Sequence, residues 1–249
     1  MGGRRRVRIV LAYDGTAYAG WQVQPRRPTV QGVLQHALAT LHGGRTVAVR
    51  GAGRTDAGVH AVGQVADAEV ELRMDDDRLL HALRAVLPHD VRPLEVGTVP
   101  ARFHARRDAR SKTYVYLIDR TPHGDPFLAG HALHVARALD VDAVRDALGR
   151  LPGRRDWSGF TAASCEIEDR VRTLEEASYE EDGRGVGRFR FRADGFLTYM
   201  VRNLVGTALD IGAGRFPPGR IDDILETGDR ALGGPTARAH GLFLRRVEY

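Results

Sequence analysis

The sequence predicts an α+β protein made of two ferredoxin-like halves whose sheets join around a central cleft. Three observations point there. The first half reads strand, helix, strand, strand, helix, strand, the order of a ferredoxin-like unit. The second half again mixes short β-rich runs with helical ones, with no internal repeat in the sequence. A length of 249 residues, 43% hydrophobic and 28% charged, suits one large domain or two modest ones sharing an interface. The expected division is an N-terminal subdomain over residues 1–105 and a C-terminal one over 106–249. If the two sheets join edge to edge, the cleft between them is the natural ligand site.

Each element has a local reason. Val7 to Tyr13 is β-rich and reads as a strand. Thr29 can cap a helix to Leu41, in which Val30, Val33, Leu34, Ala37, Leu38 and Leu41 recur at helical spacing. Thr46 to Arg50 is a short strand, followed by the glycine-punctuated loop Gly51 to Gly58, and Gln64 to Leu72 alternates as a strand does. Asp75 to Val86 is a helix with an acidic first turn, favourable at the positive end of the helix dipole. Val91 to Val99 completes the first half. In the second half, Thr113 to Ile118 is a strand and Val141 to Leu148 a short helix. Val171 to Glu180 and Arg188 to Ala193 form strands around the turn Glu181 to Gly187. Thr198 to Gly212 is the most regular helix, with Val201, Leu204, Val205, Ala208 and Leu209 on one face. Ile221 to Glu226 is a short helix and Leu242 to Val247 a closing strand.

Composition narrows the function classes. No apolar run is long enough for a membrane helix, and the arginine-rich start leads into a strand rather than a signal-peptide core, so a cytoplasmic location is expected. Cys165 is the sole cysteine, which excludes an intramolecular disulfide and a cysteine-rich metal site. Ten histidines show no metal-site spacing, and Asp75 to Asp77 reads as helix capping, so no metal is expected. The net charge of +5 points to a polyanionic partner. Of the 37 basic residues all but Lys112 are arginine, a skew read first as genome bias. Their placement says more: Arg102, His104, Arg106, Arg107, Arg110 and Lys112 form one basic run leading into a strand with two tyrosines, and Arg26 with Arg27 form another.

The loop Gly51-Ala-Gly-Arg-Thr-Asp-Ala-Gly-Val-His60 is the most informative segment. Its glycines imply tight turns and close backbone approach, and small residues flank Arg54 and Asp56. Local pattern alone also fits a surface turn in which Asp56 caps its own backbone.

A series of blocks in order along the chain then resembles the TruA family of tRNA pseudouridine synthases. Tyr13-Asp-Gly-Thr-Ala-Tyr-Ala-Gly-Trp-Gln22 resembles its opening signature, and Gly53-Arg-Thr-Asp-Ala-Gly-Val-His60 with Gln64 its catalytic loop. Phe103-His-Ala-Arg106 with Tyr114-Val-Tyr116, and Asp156-Trp-Ser-Gly-Phe160 with Val171-Arg-Thr173, resemble the middle blocks. Met200-Val-Arg-Asn-Leu-Val-Gly206, Gly234-Pro-Thr236 and His240-Gly-Leu-Phe-Leu244 resemble the C-terminal ones. Two departures are small: Trp157 stands where phenylalanine is commoner, and Arg170 where threonine is.

The resemblance implies RRM-like halves, a homodimer, tRNA as substrate, and isomerisation of uridine to pseudouridine at positions 38, 39 and 40 of the anticodon arm. That reaction is redox-neutral and needs no cofactor. Asp56 is the implied nucleophile. Tyr114 is the implied active-site tyrosine, stacking on the uracil and serving a proton transfer. Arg202 sits beside the apolar stripe of its helix, where a guanidinium is costly unless paired, so an ion pair with Asp56 is expected. Arg54 would contact phosphate or hold the extruded nucleotide, and Leu242 with Gly234-Pro-Thr236 would line the pocket. Asp14, Trp21, Gln22 and Tyr116 are expected to be structural. Two rival readings stay open: a non-catalytic RNA-binding module, and a glycoside hydrolase using Asp56, for which no second carboxylate stands out.

Overall fold

The structure is a computed structural model that describes residues 3–249. The chain is a mixed α+β protein with five α-helices and ten strands among the described residues. It divides into two compact units, one running to Arg110 and rejoined by Phe243–Tyr249, the other Ser111–Leu242.

The first unit contains β1 (Arg5–Tyr13), α1 (Val30–Leu41), β2 (Val49–Gly51), β3 (His60–Val70), α2 (Asp76–Val86), β4 (Val91–Val99) and, from Phe243 on, the closing strand β10 (Leu242–Glu248). β4, β1 and β3 are antiparallel neighbours in that order. β3 is long enough to serve two partners on its far side. Its C-terminal half pairs antiparallel with β2, Val49 opposite Ala68, and its start pairs parallel with β10, Phe243 opposite His60. Alternation along β1 buries Val7, Ile9, Leu11 and Tyr13, and the helices add Val30, Leu34, Leu38, Leu79 and Leu83 to the core. Each such fully buried side chain stabilises the fold by about 1.5–3 kcal/mol. Thr29 caps α1 by accepting from the Gly32 N–H, and Asp75 caps α2 by accepting from Arg78.

One buried carboxylate ties this unit together. Asp67, on β3 and 0% exposed, accepts hydrogen bonds from Arg6 Nη1 (2.7 Å), Arg50 Nε (3.1 Å) and the Ala105 N–H (2.8 Å). Burial alone would raise its pKa; the bonds from Arg50, Ala105 and Arg6 outweigh that and hold it below the usual carboxylate value.

The second unit contains β5 (Ser111–Asp119), β6 (Leu133–His134), α3 (Val141–Gly149), β7 (Gly153–Asp156), β8 (Val171–Glu181), β9 (Val186–Ala193), α4 (Met200–Gly212) and α5 (Arg220–Thr227). β5, β9, β8 and β7 form an antiparallel series, and β6 adds parallel to the end of β5. α4 is buried along nearly its whole length, consistent with its apolar stripe.

Several elements differ from their sequence expectation. β3 starts at His60 rather than Gln64, because β10 supplies a partner for residues that look like loop. Of Thr46 to Arg50, only the end reaches a pairing partner, so β2 is Val49–Gly51. α4 begins at Met200, not Thr198, because Tyr199 holds a left-handed conformation that no helix admits. β8 and β9 run closer to their turn than expected, and β6 and β7 carry no clear alternation to announce them.

Candidate active site

The loop between β2 and β3 is held by the segment that follows β1. Tyr13 Oη and Thr55 Oγ1 share a hydrogen bond of 2.8 Å, and the Trp21 N–H donates to the Thr55 carbonyl at 3.0 Å. The Gly58 N–H donates to the Tyr18 carbonyl at 3.3 Å, and Gln64 Nε2 donates to the Gly53 carbonyl at 3.0 Å. Gly20 has φ +93°, and a Cβ there would stand 2.5 Å from the Thr55 carbonyl oxygen, so only glycine allows this approach. The block Tyr13 to Gln22 is therefore a cradle for the loop. Burial pushes the Tyr13 hydroxyl up to about 12, against the lowering by its bonds to Thr55 and Gln64, so it stays protonated at neutral pH.

That anchoring orients the two polar residues. Thr55 is buried between them, Arg54 is exposed, and Asp56 is half-buried. Of these three consecutive residues, Thr55 is the one whose side chain is bound into the cradle. Trp21 is fully buried, and Asp14 accepts from the Thr16 N–H and hydroxyl in a local turn, which fits the structural roles expected of them.

The other expected site residues lie in the second unit. Tyr114 is on β5, 6% exposed, with the Phe196 ring edge-on to it at 5.0 Å. Tyr116, two residues on, is fully buried, and its hydroxyl donates to the Arg238 carbonyl at 2.8 Å. That bond supports the packing role and fixes the segment leading to Leu242, itself 5% exposed.

Arg202, in the first turn of α4, is half-buried. Its Nε donates to the Ala237 carbonyl at 2.7 Å, and the Ala237 N–H donates back to the Arg202 carbonyl at 3.1 Å. Its guanidinium carbon lies 4.7 Å from the centre of the Tyr199 ring. The segment Gly233 to Ala237 can approach α4 this closely because Gly206 has no side chain: a Cβ there would fall 1.7 Å from the Pro235 carbonyl oxygen. Asn203, fully buried, completes the clamp, donating to the Phe160 carbonyl and accepting from Arg230 and the Thr236 hydroxyl. Tyr199, Asn203 and Arg230 were not singled out by sequence. Asn203 lies within the block Met200 to Gly206 and Tyr199 just before it, but nothing local gives a tyrosine its backbone conformation or an asparagine its partners.

The arginines separate into two kinds. A cavity of about 410 Å³ in the first unit is lined by Arg4, Arg6, Arg45 and Arg50, yet each of these is matched by a carboxylate, from Glu69, Asp67 or Glu71. By contrast Arg102, Arg106 and Arg107 are exposed and make no ion pair among the described residues. The turn that carries them is rigid: the Ala105 N–H is held by Asp67, the His104 N–H by Asp108, and the Tyr249 hydroxyl donates to the Ala105 carbonyl. Charge presented without a partner, on fixed backbone, suits phosphate. Arg26 and Arg27 are exposed in the same way. No helix among the described residues is long and apolar enough to cross a membrane.

A family model described as tRNA pseudouridine synthase matches residues 9–107 and 147–249. Curated relatives named tRNA pseudouridine synthase A include one from Streptococcus pneumoniae (strain Taiwan19F-14), 42% identical over 245 residues and 98% of each chain. Another, from Streptococcus mutans, is 41% identical over the same length and coverage. The solved archaeal box H/ACA sRNP Nop10–Cbf5 complex is a far weaker likeness, 18% identical with a TM-score of 0.34, covering 82% of this chain and 44% of that one. The chain belongs to the tRNA pseudouridine synthase family.

Proposed function

We propose that this enzyme isomerises uridine to pseudouridine at positions 38, 39 and 40 of the tRNA anticodon arm, with Asp56 as nucleophile and no cofactor. The observation that carries the reading is the loop Gly53 to His60, complete in a chain of this family and clamped through the buried Thr55 beside Asp56.

In this scheme the ionised Asp56 carboxylate forms a covalent adduct with the bound nucleotide, either at the ribose C1′ or on the uracil ring. The N1–C1′ bond breaks, the base turns, a C5–C1′ bond forms, and the proton on C5 is lost while N1 gains one. No electrons leave or enter, so no redox cofactor is called for. Tyr114 stacks on the uracil and serves the proton transfer from C5. Arg202, its Nε fixed by Ala237, pairs with Asp56 and keeps it ionised. Arg54 is exposed and faces the backbone of an extruded nucleotide, and Leu242 lines the pocket. Residues 1–105 supply the catalytic loop and 106–249 complete the site, each half ferredoxin-like, and two chains act as a homodimer on one tRNA. Shape and phosphate contacts carry recognition, which suits the unpaired arginines at 102, 106 and 107.

The test is Asp56→Asn, nearly isosteric but not nucleophilic. It is expected to abolish pseudouridine formation, mapped by carbodiimide, while a gel shift still shows tRNA binding. Turnover above about a thousandth of wild type would rule out the nucleophile role. The same mapping reads the positions, and modification outside the anticodon arm would redirect the substrate assignment.

A further inference from the structure

We infer that Tyr199 is a positioning residue for Arg202, an inference that rests on the role proposed above for that arginine. Tyr199 stands at the N-cap of α4 with φ 62° and ψ 3°, in the left-handed region. Glycine and asparagine enter that region readily; an aromatic residue does so at a cost, and such strain persists only where the surroundings impose it. The surroundings here are tight on both sides. The Thr198 carbonyl accepts from the Ala162 N–H at 3.0 Å and from the Thr161 hydroxyl at 3.1 Å, and the Tyr199 carbonyl accepts from the Asn203 N–H at 2.9 Å. The only other non-glycine residue with positive φ among the described residues is Arg26, in an exposed turn.

Two facts argue that the ring is there for more than filling space. At 39% exposure it is among the more exposed large apolar side chains, so burial does not repay the strain. Its ring meets the Arg202 guanidinium, whose carbon lies 4.7 Å from the ring centre. The left-handed turn is what swings the ring from the end of the helix under the side chain one turn in. Ala237 then holds Nε in the guanidinium plane while the Tyr199 face holds the plane itself. With one edge and one face held, the fork is aimed in a single direction, the condition for an arginine to act on a carboxylate with set geometry.

The experiment compares wild type, Tyr199→Asn, Tyr199→Phe, Arg202→Ala and the Tyr199→Asn/Arg202→Ala pair, measuring single-turnover pseudouridine formation, tRNA Kd and Tm. Asparagine accepts the backbone conformation but lacks the ring. Tyr199→Asn is expected to slow the single-turnover rate about tenfold, with Kd changed less than about twofold and Tm equal to or above wild type. Tyr199→Phe should recover the rate to within about threefold of wild type, since the ring face is what acts. The double variant should be no slower than Arg202→Ala, because the tyrosine acts through the arginine. An unchanged rate in Tyr199→Asn, a Tyr199→Phe as slow as Tyr199→Asn, or a double variant slower than Arg202→Ala by the full tenfold would each overturn the inference. So would a rate loss accompanied by a fall in Tm, which marks a packing residue. If instead Arg202→Ala matches wild type, or wild type leaves tRNA unmodified, the underlying reading has failed rather than this one.

Discussion

Gly206→Ala sets two opposing effects against each other, and the structure says which wins. In a helix interior the change from glycine to alanine is favourable by about 1 kcal/mol. Here the added Cβ would meet the Pro235 carbonyl oxygen at 1.7 Å. A normal carbon–oxygen contact needs roughly 3.3 Å, so the Gly233 to Ala237 segment must retreat by about 1.6 Å. Three bonds hold the backbone of that segment to α4: Arg202 Nε to Ala237 O at 2.7 Å, Ala237 N to Arg202 O at 3.1 Å, and Gly234 N to Thr207 Oγ1 at 3.0 Å. A retreat of that size lengthens all three past hydrogen-bond range, at about 1 kcal/mol each. The net is a loss of about 2 kcal/mol, which for a chain of this size lowers Tm by roughly 4–8 °C. Arg202 loses its Nε anchor in the same movement, so single-turnover activity should fall by at least about tenfold even at temperatures where the variant is folded. Differential scanning fluorimetry and a rate on transcribed tRNA read both quantities. A variant with Tm at or above wild type would show that helix propensity dominates and that the loop does not sit as closely as argued.

Other expectations follow from the same structure. Asp67 is held below its usual pKa, so its contribution to stability is complete above the unfolded value and is lost as pH falls through the folded one. Tm should be flat from neutral pH to about 5 and decline below about 4, and Asp67→Asn should lower Tm at neutral pH by several degrees while softening that acid decline. An acid profile unchanged by the substitution would assign the decline to other carboxylates. Affinity for tRNA should fall steeply with salt, and replacing Arg106 and Arg107 with glutamine should reduce the slope of log K against log salt by about 1–2, as expected for two lost phosphate contacts; an unchanged slope would make them mere solvated surface. Activity on a short anticodon stem-loop should survive exhaustive dialysis against EDTA, and turnover restored by one divalent ion would count against a cofactor-free reaction. If Arg202 pairs with Asp56 as proposed, Arg202→Ala should move the acidic limb of the pH–rate profile upward; an unmoved limb would separate the two residues.

Much of the fold was legible because it rests on local rules. Thr29 and Asp75 announce their helices by capping chemistry that acts within three residues, and β1 and β4 are rich enough in β-forming residues to be bounded to within two residues. The order of glycine-rich and arginine-bearing blocks was likewise enough to reach the family, since a motif is a property of adjacent residues. What the sequence could not express is which distant residues meet. The start of β3 exists because Phe243 and Leu244 return to pair with His60 and Ala61. The arginines lining the cavity and those of the 102–107 turn look alike along the chain; only their spatial neighbours balance the first with carboxylates and leave the second without one. Tyr199 is the sharpest case. Its identity predicts an ordinary helical or β residue, and its left-handed backbone arises from bonds made by Thr161, Ala162 and Asn203, none of which a local pattern can foresee. Propensity and capping act over a few residues and are written in the sequence; pairing, neutralisation and strain are settled by whatever the folded chain brings alongside.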